Sequence, residues 1–289
     1  MYTRYDNWSL PGQHQVTTWQ EQHHSWAAYS RYLQAAAHQL YVPQTILNLV
    51  VRGEKRMYDG NKVHHLRAGD VFLIPAGSLI CSEILCPQQH YSSINLVIPD
   101  NIAAYGPPRN YDDNAAGVKA ALILPARQEW HPFTRSLLQH FRDAGASAPD
   151  HPAVITQLWK LMMHSPAGAH VGAMLAKNSR YPLPQVMETL SSCLPEVRLL
   201  EEVAAMGHMS TATLKRRFRK VYNCSPMHWI WEKRLQLAGF LLRTTEMTVP
   251  EIAYSTGFED ITHFYRLFRK SFLLTPLQWR KSESDLFSK

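Results

Sequence analysis

Five basic side chains crowd one short stretch of this 289-residue chain: Lys215, Arg216, Arg217, Arg219 and Lys220 fall within six residues. A thinner group, Arg266, Arg269 and Lys270, follows fifty residues later. Cations at that density suit phosphates, and arginine adds a forked pair of donors that matches a guanine edge. The bland alternative is a solvated charged face, the usual fate of a short basic run. Other chemistries find less support. The chain has 15 histidines and 4 cysteines, yet no CxxC pair and no metal-ligand spacing. Cys81, Cys86, Cys193 and Cys224 read as buried or free thiols in a reducing compartment. No metal, no cofactor and no catalytic residue are assigned.

The elements that must position these cations occur twice. One copy reads LEEVAAMGHMSTATLKRRFRKVYNCSPMHWI from Leu200 to Ile230, the other VPEIAYSTGFEDITHFYRLFRKSFLLTPLQWR from Val249 to Arg280. Phe218-Arg219-Lys220 matches Phe268-Arg269-Lys270, Ser225-Pro226 matches Thr275-Pro276, and Trp229 matches Trp279, all at an offset of fifty. Each copy reads as a helix-turn-helix, at about 199–222 and 249–271. Leu200, Val203 and Ala204, and likewise Val249, Ile252 and Ala253, repeat at helical spacing. Gly207 or Gly257 offers the turn a backbone angle that other residues resist. Ser210 or Asp260 can cap the second helix. Leu214 with Phe218, and Phe264 with Phe268, point into a core and leave the opposite face outward.

On that face the first recognition helix carries Ala212, Lys215 and Arg216, with Arg219 and Lys220 placed to reach phosphates. The second carries Ile261, Thr262, His263 and Arg266, with Arg269 beyond them. Arg216 and Arg266 are the expected base readers. Ile261 suits a thymine methyl. Two such helices on one chain suit successive major-groove faces roughly 34 Å apart. Pro226 to Arg243 reads as one long helix that fixes their separation, with Ser225 as cap and Pro226 in the first turn.

On these residues the stretch from Leu199 to Lys281 resembles the DNA-binding domain of the AraC/XylS family of bacterial transcription regulators. The most specific part is the second copy: Ile252-Ala253, Gly257-Phe258, His263-Phe264, Phe268-Arg269-Lys270, Phe272, Thr275-Pro276 and Trp279-Arg280. The family usually has Tyr where Trp279 stands and Gly where Leu273 stands. The outward positions named above, carried over through Leu214 and Phe264, coincide with those the family uses.

Elsewhere the chain is globular, 45% hydrophobic and 18% charged, with a net charge of +7 that suits an anionic partner. That charge is spread evenly: residues 1–184 hold fifteen of the 30 basic residues, so it is the cluster at 215–220 that argues for DNA. The opening MYTRYDNWSLPGQ lacks a signal-peptide pattern, and no apolar run reaches the length of a membrane span. A cytoplasmic protein is expected. From Thr45 to about Pro99 short apolar runs alternate with turn signals: Ile46–Val51, Gly53, Asp59-Gly60-Asn61, then Val71–Ile74 and YSSINLVIP. Gly69, Pro75 and Gly77 fit the second motif of cupin barrels, the fold of many AraC/XylS sensor domains. Ile80 stands where metal-binding cupins place a histidine, so the barrel reads as metal-free. The N-terminal stretch with Trp8 and Trp19 reads as an arm over the barrel mouth or as surface packing.

Two amphipathic helices are expected over Trp130–Ala144 and Pro152–His164, divided by a loop at Gly145–Pro149. Residues 165–184 read as a linker, and a helix is expected over Gln185–Ser192. The expected architecture is α+β: a cupin-like β-barrel with flanking helices over 1–170, a linker at 171–184, and an all-α domain with two helix-turn-helix units over 185–289. The resemblance implies a double-stranded DNA partner, RNA polymerase, a homodimer, activation of transcription and a small effector in the barrel. No residue is assigned to that effector. A protein partner is the alternative source of control. A cupin-type metalloenzyme with an appended DNA-binding domain and a structural nucleoid protein are the readings from other classes; the absent histidine at Ile80 and two distinct recognition helices argue against them.

Overall fold

The apolar run at Ile46–Val51 has neighbours on both sides, and this sets the layering of the N-terminal half. The computed structural model describes residues 1–6, 8–21, 24–85, 90–102, 121–124, 128–143, 148–178 and 183–282. Cys86, residues 145–147 of the expected loop, 179–182 of the expected linker and 283–289 lie outside the described residues. The strands are β1 (Thr3–Arg4), β2 (Gln15–Glu21), β3 (His24–Tyr32), β4 (Ala36–Val42), β5 (Ile46–Arg52), β6 (Glu54–Asp59), β7 (Lys62–Arg67), β8 (Val71–Ile74), β9 (Ser78–Leu85), β10 (Tyr91–Val97) and β11 (Leu122–Leu124). They form two sheets, ordered β1-β4-β9-β6-β7 and β11-β8-β5-β10-β3-β2. No pairing closes them into a ring among the described residues.

The period of two along each strand sorts side chains between layers. Ile46 and Val50 of β5, Phe72 and Ile74 of β8 and Tyr91 of β10 join Leu40, Met57, Leu66 and Ile80 of the five-stranded sheet in one core. Leu47, Leu49, Val71, Leu73, Ile94 and Leu96 face the other way, onto helices α1 (Trp130–Arg142), α2 (His151–His164) and α3 (Gly168–Asn178). A strand buried on both faces loses its polar alternation, which is why Ile46–Val51 of β5 reads as an apolar run broken only by Asn48.

Three features differ from expectation. Strands β1 to β4 precede Thr45, so the N-terminal stretch is mostly sheet. Trp8 and Trp19 are buried, and Trp19 lies flat on Phe141 of α1 with centroids 3.7 Å apart. Helix α3 occupies Gly168–Asn178, inside the stretch expected to be linker. None of the described helices is long and apolar enough to cross a membrane.

The C-terminal half is helical: α4 (Pro184–Cys193), α5 (Leu200–Met206), α6 (Thr211–Tyr222), α7 (Pro226–Thr244), α8 (Val249–Ser255), α9 (Ile261–Phe272) and α10 (Pro276–Lys281). Helix α7 starts as its sequence dictates, with Ser225 Oγ accepting from His228 N at 3.3 Å and Pro226 in the first turn. Helices α6 and α9 both end on a left-handed residue, Asn223 at φ 53 and Leu273 at φ 60. Asparagine tolerates that region; leucine pays a steric penalty of about 1–2 kcal/mol there.

Lys55 on β6 is 8% exposed between the sheets, its ammonium 5.5 Å from the Phe72 centroid and 5.8 Å from that of Tyr91. Burial pulls its pKa from 10.5 down to about 8. Between those values the unfolded chain binds more protons than the native one, so stability from this site rises with pH. Below pH 8 the full penalty applies, on the order of 3 kcal/mol at ~1.4 kcal/mol per unit. Lys55→Met is expected to melt above the wild type at pH 7, with the gap closing towards pH 10; melts at both pH values check it, and a variant no more stable at pH 7 contradicts it. Leu273, 84% exposed, touches little. Leu273→Gly is expected to raise stability by about 1 kcal/mol by removing the left-handed penalty, measured as a rise in Tm.

Candidate nucleic-acid interface

Helix α6 begins where Ser210 Oγ accepts from Thr213 N at 3.2 Å. Its inward residues, Leu214 and Phe218, are fully buried, and this fixes the roll of the helix. The opposite side leaves Ala212, Lys215, Arg216, Arg219 and Lys220 exposed. The four cations line one groove of about 630 Å³, and Ala212 stands outside it. Asn223, Cys224 and Ser225 form the other wall, brought round by the left-handed turn at Asn223. Sequence reasoning missed these three; the Asn just before a Ser-Pro helix start was the available signal. Among the described residues no carboxylate lines the groove, and its charged lining is all basic.

Helix α9 repeats the plan with weaker charge. Asp260 Oδ1 accepts from Thr262 N at 2.7 Å, and Phe264 and Phe268 are fully buried. Thr262, His263 and Arg266 line a hollow of about 460 Å³, together with the capping Asp260. Thr262 and Arg266 are exposed. His263 is half-buried, edge-on to Trp231 with centroids 5.8 Å apart. Ile261 is half-buried against the C-terminal core, and exposed Arg269 lies outside the hollow.

The two turns before these helices are built differently. Gly257 has φ +92, and a Cβ there would lie 2.3 Å from Pro195 O, so both the angle and the space demand glycine. Gly207 has φ −103, and it is His208 that turns left-handed, at φ 50. The expectation that Gly207 supplies the special angle is therefore corrected. Its lack of a side chain matters for closeness: a Cβ would come within 2.4 Å of Met209 Cε and 2.6 Å of Val186 Cγ2.

Helix α7 holds both units through Arg234, which is 1% exposed. Its Nε and Nη2 donate to Leu194 O at 3.1 and 2.9 Å, Nη2 also to Val197 O at 2.5 Å, and Nη1 to Gly257 O at 3.0 Å. One guanidinium thus joins the segment between α4 and α5 to the turn between α8 and α9. Burial pulls its pKa down to about 10, so it stays cationic at neutral pH. Further along, Gly239 lets α9 and α10 close on α7: Trp279 Nε1 donates to Gly239 O at 2.8 Å. A Cβ on Gly239 would sit 2.9 Å from Phe272 Cζ.

The same helix docks on the five-stranded sheet. Lys233 Nζ and Gln236 Nε2 each donate to Leu79 O at 3.1 Å, and Gly60 N donates to Gln236 Oε1 at 2.9 Å. Tyr58 meets Phe240 edge-on at 5.3 Å. One apolar cluster runs from Tyr41, Tyr58 and Leu79 into the C-terminal helices.

Residues 203–282 match the family described as "Helix-turn-helix domain". The HTH-type transcriptional regulator MtrA of Neisseria gonorrhoeae is 37% identical over 82 residues, 28% of this chain and 27% of MtrA. The aligned stretch thus spans little more than a quarter of that protein's length. The HTH-type transcriptional activator RhaR of Enterobacter sp. (strain 638) is 25% identical over 259 residues, 81% of this chain and 83% of RhaR. A crystal structure of ToxT from Vibrio cholerae strain SCE256, with an unsaturated fatty acid bound, shares 12% identity, 91% of this chain and 98% of its own, at a TM-score of 0.45. The C-terminal helices of this chain thus hold a helix-turn-helix domain of the AraC type, and its alignment to RhaR, a transcription regulator, runs through most of both chains.

Proposed function

We propose that this chain is a sequence-specific, double-stranded-DNA-binding transcription regulator that activates transcription in the cytoplasm and catalyses no reaction. The observation that carries the reading is the groove on α6, where Lys215, Arg216, Arg219 and Lys220 converge with no carboxylate beside them among the described residues. A positive groove on one helix is sequence-blind by itself. Its counterpart on α9, less charged and richer in hydrogen-bonding groups, supplies the second reading element.

In this reading both helix pairs, α5 with α6 and α8 with α9, are helix-turn-helix units. Arg216 and Arg266 read guanines, and Arg219, Lys220 and Arg269 hold phosphates. Thr262 and His263 approach base edges or the backbone. Ala212 and Ile261 supply apolar contacts. Residues 1–178, α3 included, form a cupin-like sensor and dimerisation domain, and 184–289 the DNA-binding domain. A homodimer acts with RNA polymerase, and a small effector received by the N-terminal domain sets its activity. Support for that control is the docking of the five-stranded sheet on α7, the helix both readers share.

The reading predicts specific affinity well above nonspecific affinity at one fixed salt concentration, measured on DNA recovered by genome-wide mapping of bound sites; a ratio near one overturns it. Arg216→Ala is expected to cost about 1–3 kcal/mol and to relax preference at a single base position. Lys220→Ala is expected to weaken all sequences alike and to lower the salt slope by about one. Binding titrations on base-substituted sites at several salt concentrations separate the two, and a uniform loss for Arg216→Ala makes it a phosphate contact.

A further inference from the structure

The outer face of the six-stranded sheet is apolar beneath α1 and turns basic where the last turn of that helix ends. Ser92 on β10 pairs with Arg31 on β3 to one side and Arg52 on β5 to the other. Two like charges therefore flank one serine across three adjacent strands, an arrangement that is unfavourable unless an anion lies between them. Arg142, in the last turn of α1, brings a third guanidinium to the same place. The three line an open pocket of about 590 Å³, within the range of small-molecule sites.

The pairing of other arginines sharpens the point. Of the five on strands, Arg4 meets Asp6 and Glu188, Arg56 meets Glu83, and Arg67 meets Glu54. Arg31 and Arg52 have no carboxylate partner among the described residues, nor has Arg142, and no carboxylate lines the pocket. One wall is aromatic and rigid. Phe141 is 9% exposed and stacks on Trp19, while the Tyr29 ring lies 5.8 Å from it. Forked donors facing a flat apolar wall match an oxyanion carried on a ring.

We propose that this pocket is a receptor for a small aromatic oxyanion, a phosphate or carboxylate on a flat ring. Arg31, Arg52 and Arg142 hold the charged group, and Tyr29 and Phe141 face the ring. The site lies on the outside of the sandwich, away from the interior between its sheets and from the recognition helices. It stands independently of which DNA sequence the chain reads.

The test is calorimetric titration of the full chain with phenyl phosphate, using phenol as the uncharged control. Saturable binding at one site per chain is expected, with no binding of phenol. Arg31→Gln with Arg52→Gln should weaken it about tenfold or more, as loss of charge-assisted bonds requires. Arg142→Gln, at an exposed helix end, should also weaken it and guards against a folding defect in the double variant. Equal response to phenyl phosphate and phenol overturns the proposal. So does binding that survives both sets of substitutions, which would place the anion on the basic groove of α6.

Discussion

One buried guanidinium fixes the relation between the two candidate readers. Arg234 gives its hydrogen bonds to backbone carbonyls at Leu194, Val197 and Gly257, and none of these is replaceable by a side-chain choice elsewhere. A buried carbonyl left without a donor costs roughly 1–3 kcal/mol, so the arrangement is held by several unfavourable alternatives at once. Arginine is required for its shape as well as its charge, because a lysine ammonium cannot span acceptors on two separate turns. Glycine at 257 follows from the same crowding, since a Cβ there would lie 2.9 Å from the Arg234 guanidinium carbon.

Around that centre, consecutive residues of α7 face different layers. Lys233 and Gln236 bind Leu79 of the five-stranded sheet, whereas Arg234 binds the two turns. Gly239 and Phe240, a turn further on, meet α10 and Tyr58 respectively. The contact that seats the sandwich on α7 is therefore a neighbour of the contact that seats both readers. Helices α1–α3, the two sheets and the C-terminal helices stack in series, each pair sharing one apolar cluster.

Much of the C-terminal half was legible because it is governed by local rules. The fifty-residue repeat, the caps at Ser210, Ser225 and Asp260, and the inward pairs Leu214/Phe218 and Phe264/Phe268 are short-range signals, and the structure places each as they require. What escaped depends on distant partners. Lys233, Arg234 and Gln236 carried no signal of their own, since their acceptors are backbone carbonyls that no sequence displays. His208, not Gly207, took the left-handed angle, and Gly207 serves close approach instead, since a Cβ there would meet Val186 and Met209. Strands β2 and β3 meet at Glu21 to His24 with no Gly, Pro, Asn or Asp to mark a turn, and α3 lay hidden behind Ser165-Pro166 and its glycines. The wall of Asn223 to Ser225 became visible only once the left-handed cap folded it beside the basic helix.

The central claim is that α7, through Arg234, sets the spacing at which the two helices engage DNA. It is tested most directly by comparing the wild type with Arg234→Lys on a full bipartite site and on a single half-site. The account predicts a selective loss on the full site, about tenfold or more, with half-site affinity little changed. An equal loss on both, or none on either, would contradict it.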